Sequence, residues 1–198
     1  MLKDDTDFFL SQLLQTIKND VLPKTRVGVK KGNKVFGAAI LNKFTLDTII
    51  AETNNELESP LFHGEITCLN SYFAHNIKRE TKDLIFLSTH EPCSMCLSAI
   101  AWAGFREIYY FFSHQDSRDD FQIPHDLKIL KELFNLEPGG YNKNNAFLSC
   151  NSIIEKISEI APENRGLLMN EVTEIRNEYE YLSSIYQNDK EKNFIPLK

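Results

Sequence analysis

Cysteine is scarce in this chain. There are four in 198 residues, two of them spaced C-x-x-C, which is too few for a disulfide scaffold and suits a reducing compartment and metal binding instead. Positive charge is also in deficit. Against 28 acidic residues stand 22 basic ones, a formal net charge of -6, so the chain lacks the basic balance that sequence-independent phosphate binding requires. A small molecule is therefore favoured as ligand over nucleic acid, which would need a local basic patch. No apolar run approaches the length of a membrane span, so no membrane partner is expected. Asp4, Asp5 and Asp7 stand where a secretory leader would be basic and then apolar, so the expected location is cytoplasmic. Internal repeats and low-complexity tracts are missing too.

What remains is ordinary globular material, 42% hydrophobic and 25% charged, long enough for one well-filled core. Phe8, Phe9, Leu13, Leu14, Ile17 and Val21 recur at helical spacing and Pro23 closes the pattern, predicting a first helix over 6–21. Strands are predicted over 35–41 and 48–51 as a hairpin, then 84–87 and 107–112. Between them, Ser59-Pro60 predicts the cap of a helix over 60–78, and another helix covers 93–104. Strand alternating with helix gives a three-layer α/β sheet. Further helices are expected over 126–134, 151–160 and 163–187, the last with Leu168, Val172, Ile175, Tyr179, Leu182 and Tyr186 in a narrow heptad-like seam. Residues 190–198 read as a loose tail. The expected organisation is a domain over 1–135 and a helical extension over 136–198, packed on that domain or on a partner subunit.

Between residues 62 and 102 lie His63-Gly64-Glu65 and Pro92-Cys93-Ser94-Met95-Cys96. One imidazole and two thiolates are good ligands for Zn²⁺, and three protein ligands leave the fourth tetrahedral position to water, as in a catalytic site. Cys93 and Cys96, three apart, share one face of a first helical turn, where free N–H groups and the helix dipole favour thiolates. His63 begins the preceding helix, and the short strand between brings both helix starts to one sheet edge, where α/β proteins place their sites. Glu65 discriminates between roles, because a purely structural zinc needs no spare carboxylate two positions from a ligand. Beside a metal-acidified water, it can take a proton and deliver it to a ring nitrogen and then to a leaving amine. H-x-E with P-C-x-x-C is the signature of zinc deaminases.

On these residues the chain resembles the cytidine deaminase-like superfamily of zinc hydrolases, over about residues 5–135. The run from Glu91 to Ala103 looks most like the branch holding bacterial guanine deaminases and tRNA adenosine deaminases, and Trp102, His114 and Asp116 resemble the guanine deaminases in particular. Gly64 instead is similar to fungal cytosine deaminases, since the purine branch usually has alanine there. The resemblance implies an α/β/α fold with a mixed sheet of about five strands, His63, Cys93 and Cys96 on zinc, and Glu65 as proton shuttle. It also implies that an asparagine closing the second strand contacts the base; counting from Ala51 gives Asn55, with Asn54 the alternative. The implied reaction is hydrolytic deamination of a nucleobase or nucleoside, guanine first, with ammonia released, in a homodimer. Alternatives are adenosine-to-inosine editing of tRNA, which would need a groove built from Lys30-Lys31 and Lys78-Arg79, cytosine or cytidine deamination, and a non-catalytic zinc-binding subunit. Two departures from the family bear on substrate: a short loop with Ser59-Pro60 where Asp-Pro is common, and the long C-terminal extension.

Other candidates have plainer readings. Cys68, five helical residues from His63, points about 140 degrees around the axis and reads as a core thiol, as does Cys150. His75, His90 and His125 lack ligand spacing to the motif. His114 and Asp116 suit turn chemistry after a strand, Asp119-Asp120 a solvated loop, Trp102 a core or subunit contact, and the C-terminal seam a helix docked on its own domain.

Overall fold

Strand β3 (Leu84–His90) is buried at all seven positions, which a strand achieves only at the centre of a sheet covered on both faces. The computed structural model describes residues 3–75, 77, 79–138 and 140–198. Within it, β3 lies between β1 (Gly37–Asn42) and β4 (Glu107–Phe112), β2 (Thr48–Thr53) flanks β1, and β5 (Ser149–Ser152) flanks β4. β1 runs antiparallel to β2 and β3, while β3, β4 and β5 are parallel. The five-stranded mixed sheet with helices on both faces is the expected fold class.

Alternation along the strands sorts the core into two layers. Ile85, Leu87 and Phe111 point to one side, where α1 (Lys3–Thr16), α2 (Leu22–Lys31), α7 (Ile153–Glu159) and α8 (Gly166–Asp189) lie. Leu84, Phe86, Ile108 and Tyr110 point to the other, against α3 (Gly64–Ala74) and α4 (Ser94–Trp102). Both helices carrying the zinc motif thus share one face. The seam of α8 is buried at each predicted position and packs on α1 and α2 of the same chain. Ion pairs of Arg26 with Glu178 (2.7 Å) and of Lys18 with Glu174 flank it. Cys68 and Cys150 are buried thiols. Among the described residues no helix is long and apolar enough to cross a membrane.

Several local expectations are revised. Pro23 does not end the first helical segment; a π turn over Ile17–Val21 shifts the hydrogen-bond register so that Pro23 enters the first turn of α2, where no N–H is required of it. The helix of the first motif, α3, starts at Gly64 rather than residue 60, because residues 55–62 are held in turns, Asn55 N–H to Phe62 O (2.8 Å) and Phe62 N–H to Ser59 O (2.8 Å). Residues 151–152 belong to β5, not to a helix. A short helix, α5 (His114–Asp119), follows β4 through a capping box of Ser113 and Asp116, so Asp116 is cap chemistry. The segment after α8 is no loose tail: Asn193 and Ile195 are buried, and Asn193 Nδ2 donates to Gly32 O (2.9 Å).

His90, at the end of β3, is a core residue. Its ring is stacked on Phe112 (4.7 Å) and met edge-on by Phe36 (4.5 Å) and Phe121 (4.9 Å). Burial pushes the imidazole well below its ordinary range, with His114 adding to the effect. The folded chain therefore refuses a proton that the unfolded chain accepts below about pH 6.5, and stability falls as pH drops through that value. Urea titrations at pH 7.5 and 5.5 should show a loss of about 1.4 kcal/mol from this residue, absent in His90→Leu. Equal losses in both proteins would contradict the assignment.

Candidate metal centre and active site

The start of α3 is fixed by its neighbours. His63 is the extended N-cap residue, and the Gly64 N–H donates to Asn54 Oδ1 (2.6 Å), satisfying an otherwise free helix donor. Gly64 lies backbone to backbone against Gly37 of β1; a Cβ on Gly64 would stand 2.6 Å from Gly37 Cα.

The second ligand segment leaves the end of β3. Glu91 N–H donates to Phe112 O (2.7 Å), and the Pro92 carbonyl accepts from His114 Nε2 (3.2 Å). The buried Glu91 carboxylate accepts from His114 N–H (3.1 Å), Lys143 Nζ (2.7 Å) and Tyr141 OH. Burial opposes its ionisation, but His114, Lys143 and Tyr141 outweigh that and hold its pKa below the ordinary value. The loop is thereby clamped where Cys93 caps α4 and Cys96 occupies its first turn.

His63, Cys93 and Cys96 converge, with one ligand atom of each within 4.8 Å of the others. Both sulfurs lie 3.6 Å from His63 Nδ1. A tetrahedral zinc with Zn–S of about 2.3 Å and Zn–N of about 2.0–2.1 Å has N···S edges of about 3.6 Å, so the donor set and its spacing fit that ion. The Cys96 thiol hydrogen bond and the imidazole hold the Cys93 thiol well below its ordinary range, whereas burial pushes Cys96 up. For His63, burial acts downward but is outweighed by Cys93, and the pKa is pushed up to about 9. Zinc entering such a site displaces protons.

Glu65, one residue into α3, is buried, and its Oε1 accepts from Ser88 Oγ of β3 (2.8 Å). Burial raises its pKa, with the Cys93 thiolate adding to the shift. A carboxyl group with its proton affinity raised in this way, beside the donor cluster, is placed to take up and release a proton.

A cavity of about 450 Å³ opens beside His63 and Cys93. Phe36, Leu61 and Met95 form one part of its apolar wall. The rest comes from Ile129, Leu133 and Phe134 of α6 (His125–Phe134) and from Ile195, Pro196 and Leu197, whose segment is held by His125 Nε2 donating to Lys198 O (3.2 Å). Its polar lining includes Lys34, Glu56, His125 and Asp126. Asp126 is partly covered as a residue, but its carboxyl is sheltered, and burial together with the Cys93 thiolate pushes its pKa up to about 7. Asn55 is directed elsewhere, its Nδ2 donating to Glu58 (2.5 Å), and Asn54 is buried between Gly64 N–H and Glu56. Trp102 is 92% exposed, so it is not a core residue.

Lys34, Glu56 and Asp126 escaped the sequence reading, and His125 was set aside there for want of ligand spacing. Each is a polar residue at a turn or helix start without motif spacing, and only tertiary structure brings it to the cavity.

Residues 12–112, just over half the chain, match the family described as the cytidine and deoxycytidylate deaminase zinc-binding region. Guanine deaminase from Bacillus subtilis (strain 168) is 32% identical over 87 residues, 42% of this chain and 54% of that protein. The tRNA-specific adenosine deaminase of Rickettsia felis is 28% identical over 91 residues, 45% of this chain and 63% of that protein. The matched stretch therefore spans less than two thirds of either relative. A solved structure of a mutant protein in complex with 8-azaguanine superposes with a TM-score of 0.53, covering 87% of this chain and 92% of the other at 19% identity, a likeness of fold.

Proposed function

The chain belongs to the cytidine and deoxycytidylate deaminase zinc-binding family, and on that premise we propose that it is a hydrolytic deaminase of a free nucleobase or nucleoside, with guanine the first substrate. The observation that carries this reading is Glu65, a buried carboxyl beside a three-donor cluster, hydrogen-bonded to Ser88 and left out of the cluster itself. His63, Cys93 and Cys96 would hold zinc, which when bound acidifies water for attack on an amino-bearing ring carbon. Glu65 takes the water proton at its carboxylate and passes it to the ring nitrogen, then takes a second proton from the hydroxyl now on the ring carbon and passes it to the amine, which departs as ammonia. The apolar walls exclude bulk water and suit a flat heterocycle, and the Asp126 carboxylate offers an acceptor to an N–H edge. The base contact from the end of β2 falls to Asn55, by exchanging Glu58 for the base, or to Asn54, by giving up Gly64 and Glu56. A cytoplasmic homodimer belongs to the same reading, supported by the bare indole of Trp102 on α4.

Editing of adenosine in tRNA is the second reading, favoured by the Rickettsia relative. Of the basic residues it would call on, Lys30 and Lys31 end α2 and Lys78 lies outside the described residues. Against it stand the net charge of -6 and the 195–197 segment over the cavity. Ammonia release by the zinc-loaded chain should be measured over free bases, nucleosides, nucleotides and tRNA. Guanine is expected to react fastest. Release from tRNA alone, with binding that weakens steeply as salt rises, would establish the second reading. Zinc binding without release from any of them would leave a non-catalytic subunit.

A further inference from the structure

The sulfurs of Cys93 and Cys96 face Nδ1 of His63, so a metal bound by all three takes that nitrogen and leaves a proton on Nε2. Among the described residues, the acid within 4 Å of Nε2 is Glu56, whose Oε1 lies 3.9 Å away. We propose that Glu56 is the positioning residue for His63, accepting its Nε2–H so that tautomer and ring plane are set before the metal arrives. This inference rests on the reading of His63 as a metal ligand. About 1 Å of ring or carboxylate movement turns the present separation into a hydrogen bond.

Glu56 is itself held for the task. Its side chain is 1% exposed, and Lys34 Nζ donates to Oε1 at 2.6 Å. Oε2 accepts from Asn54 Nδ2 (2.8 Å) and from the Lys34 N–H (3.3 Å). Asn54 in turn accepts the Gly64 N–H, so one chain of hydrogen bonds runs from Lys34 through Glu56 and Asn54 to the helix that carries His63. Lys34 supplies the opposite charge that a buried carboxylate requires beside it. A carboxylate behind a metal-bound imidazole fixes the ring and strengthens the ligand, and its loss weakens metal binding by about 10–100-fold.

Removing Glu56 alone would leave Lys34 buried and unpaired, so the informative variant is Lys34→Met/Glu56→Gln, compared with the wild-type chain. Competition of each purified chain against a chromogenic zinc chelator is read beside the visible spectrum of its cobalt(II) form and its urea midpoint. The double variant should bind zinc about 10–100-fold more weakly than wild type, with shifted cobalt bands, because the imidazole has lost its charged acceptor. Equal zinc affinity and an unchanged cobalt spectrum would overturn the role of Glu56. Should the double variant fail to fold, the zinc-loaded wild-type chain answers by proton–nitrogen NMR: a slowly exchanging His63 Nε2–H is expected, and rapid exchange with water would overturn the proposal. Wild type that binds no zinc would instead remove the metal reading itself.

Discussion

Glu65→Gln is expected to keep its zinc and lose turnover by about 10³-fold, the scale on which a positioned general acid–base group contributes. The substitution is nearly isosteric. The glutamine carbonyl can still accept from Ser88 Oγ, which now donates to the Glu65 carboxylate at 2.8 Å, so the packing between α3 and β3 survives. His63, Cys93 and Cys96 are untouched, and with them the 3.6 Å edges of the ligand triangle. What disappears is a group that can take up and release a proton in a buried position where its affinity for one is raised. Zinc content by atomic absorption and steady-state ammonia release, on the same samples, distinguish the outcomes. Undiminished turnover would take Glu65 out of the mechanism. Loss of zinc together with turnover would make Glu65 a fourth ligand and the centre a closed structural one.

The parts legible in the sequence were those whose cause is local. Apolar runs placed the strands at 84–87 and 107–112, and a heptad-like repeat placed the buried seam of α8, since burial on both faces leaves a continuous run and burial on one face a repeat. His63-Gly64-Glu65 and Cys93-x-x-Cys96 were legible because donor residues that share one helical turn keep a short, fixed spacing in the chain. β5 was not, because Ser149-Cys150-Asn151-Ser152 has no apolar run and becomes a strand only through backbone pairing with β4. The helix through Pro23 was equally hidden, since a π turn leaves no compositional mark. Lys34 and Glu56 are 22 residues apart and make a buried ion pair that neither residue announces. Residues 193–198 are too short, and too broken by Pro196, to display a repeat, yet Ile195 is buried against a cavity formed by segments distant in the chain.

Gly64→Ala tests how tightly the motif depends on that tertiary frame, and the expected result runs against helix propensity. Alanine is the better helix former by about 1 kcal/mol, and it is the residue commonly found between the histidine and glutamate in the purine-specific branch that this chain resembles. Here the added methyl would meet backbone on the opposite side: Gly37 Cα at 2.6 Å and Gly37 N and C at 3.0 Å. Gly37 has no side chain to swing away. It is also fixed from behind, its N–H donating to Thr89 Oγ1 (3.0 Å) and its carbonyl accepting from the same hydroxyl (3.0 Å). The first turn of α3 must therefore lift from β1, taking His63 and Glu65 with it. Displacements of this size at reacting groups cost about 10²-fold in rate, and the strain of overpacking costs about 1–3 kcal/mol of stability. The variant should accordingly show turnover down by about 10²-fold and a lower urea midpoint while still folding. Wild-type turnover and midpoint in Gly64→Ala would mean that α3 can stand off the sheet freely, and that the glycine has no part in aiming the metal ligand and the carboxylate at a common point.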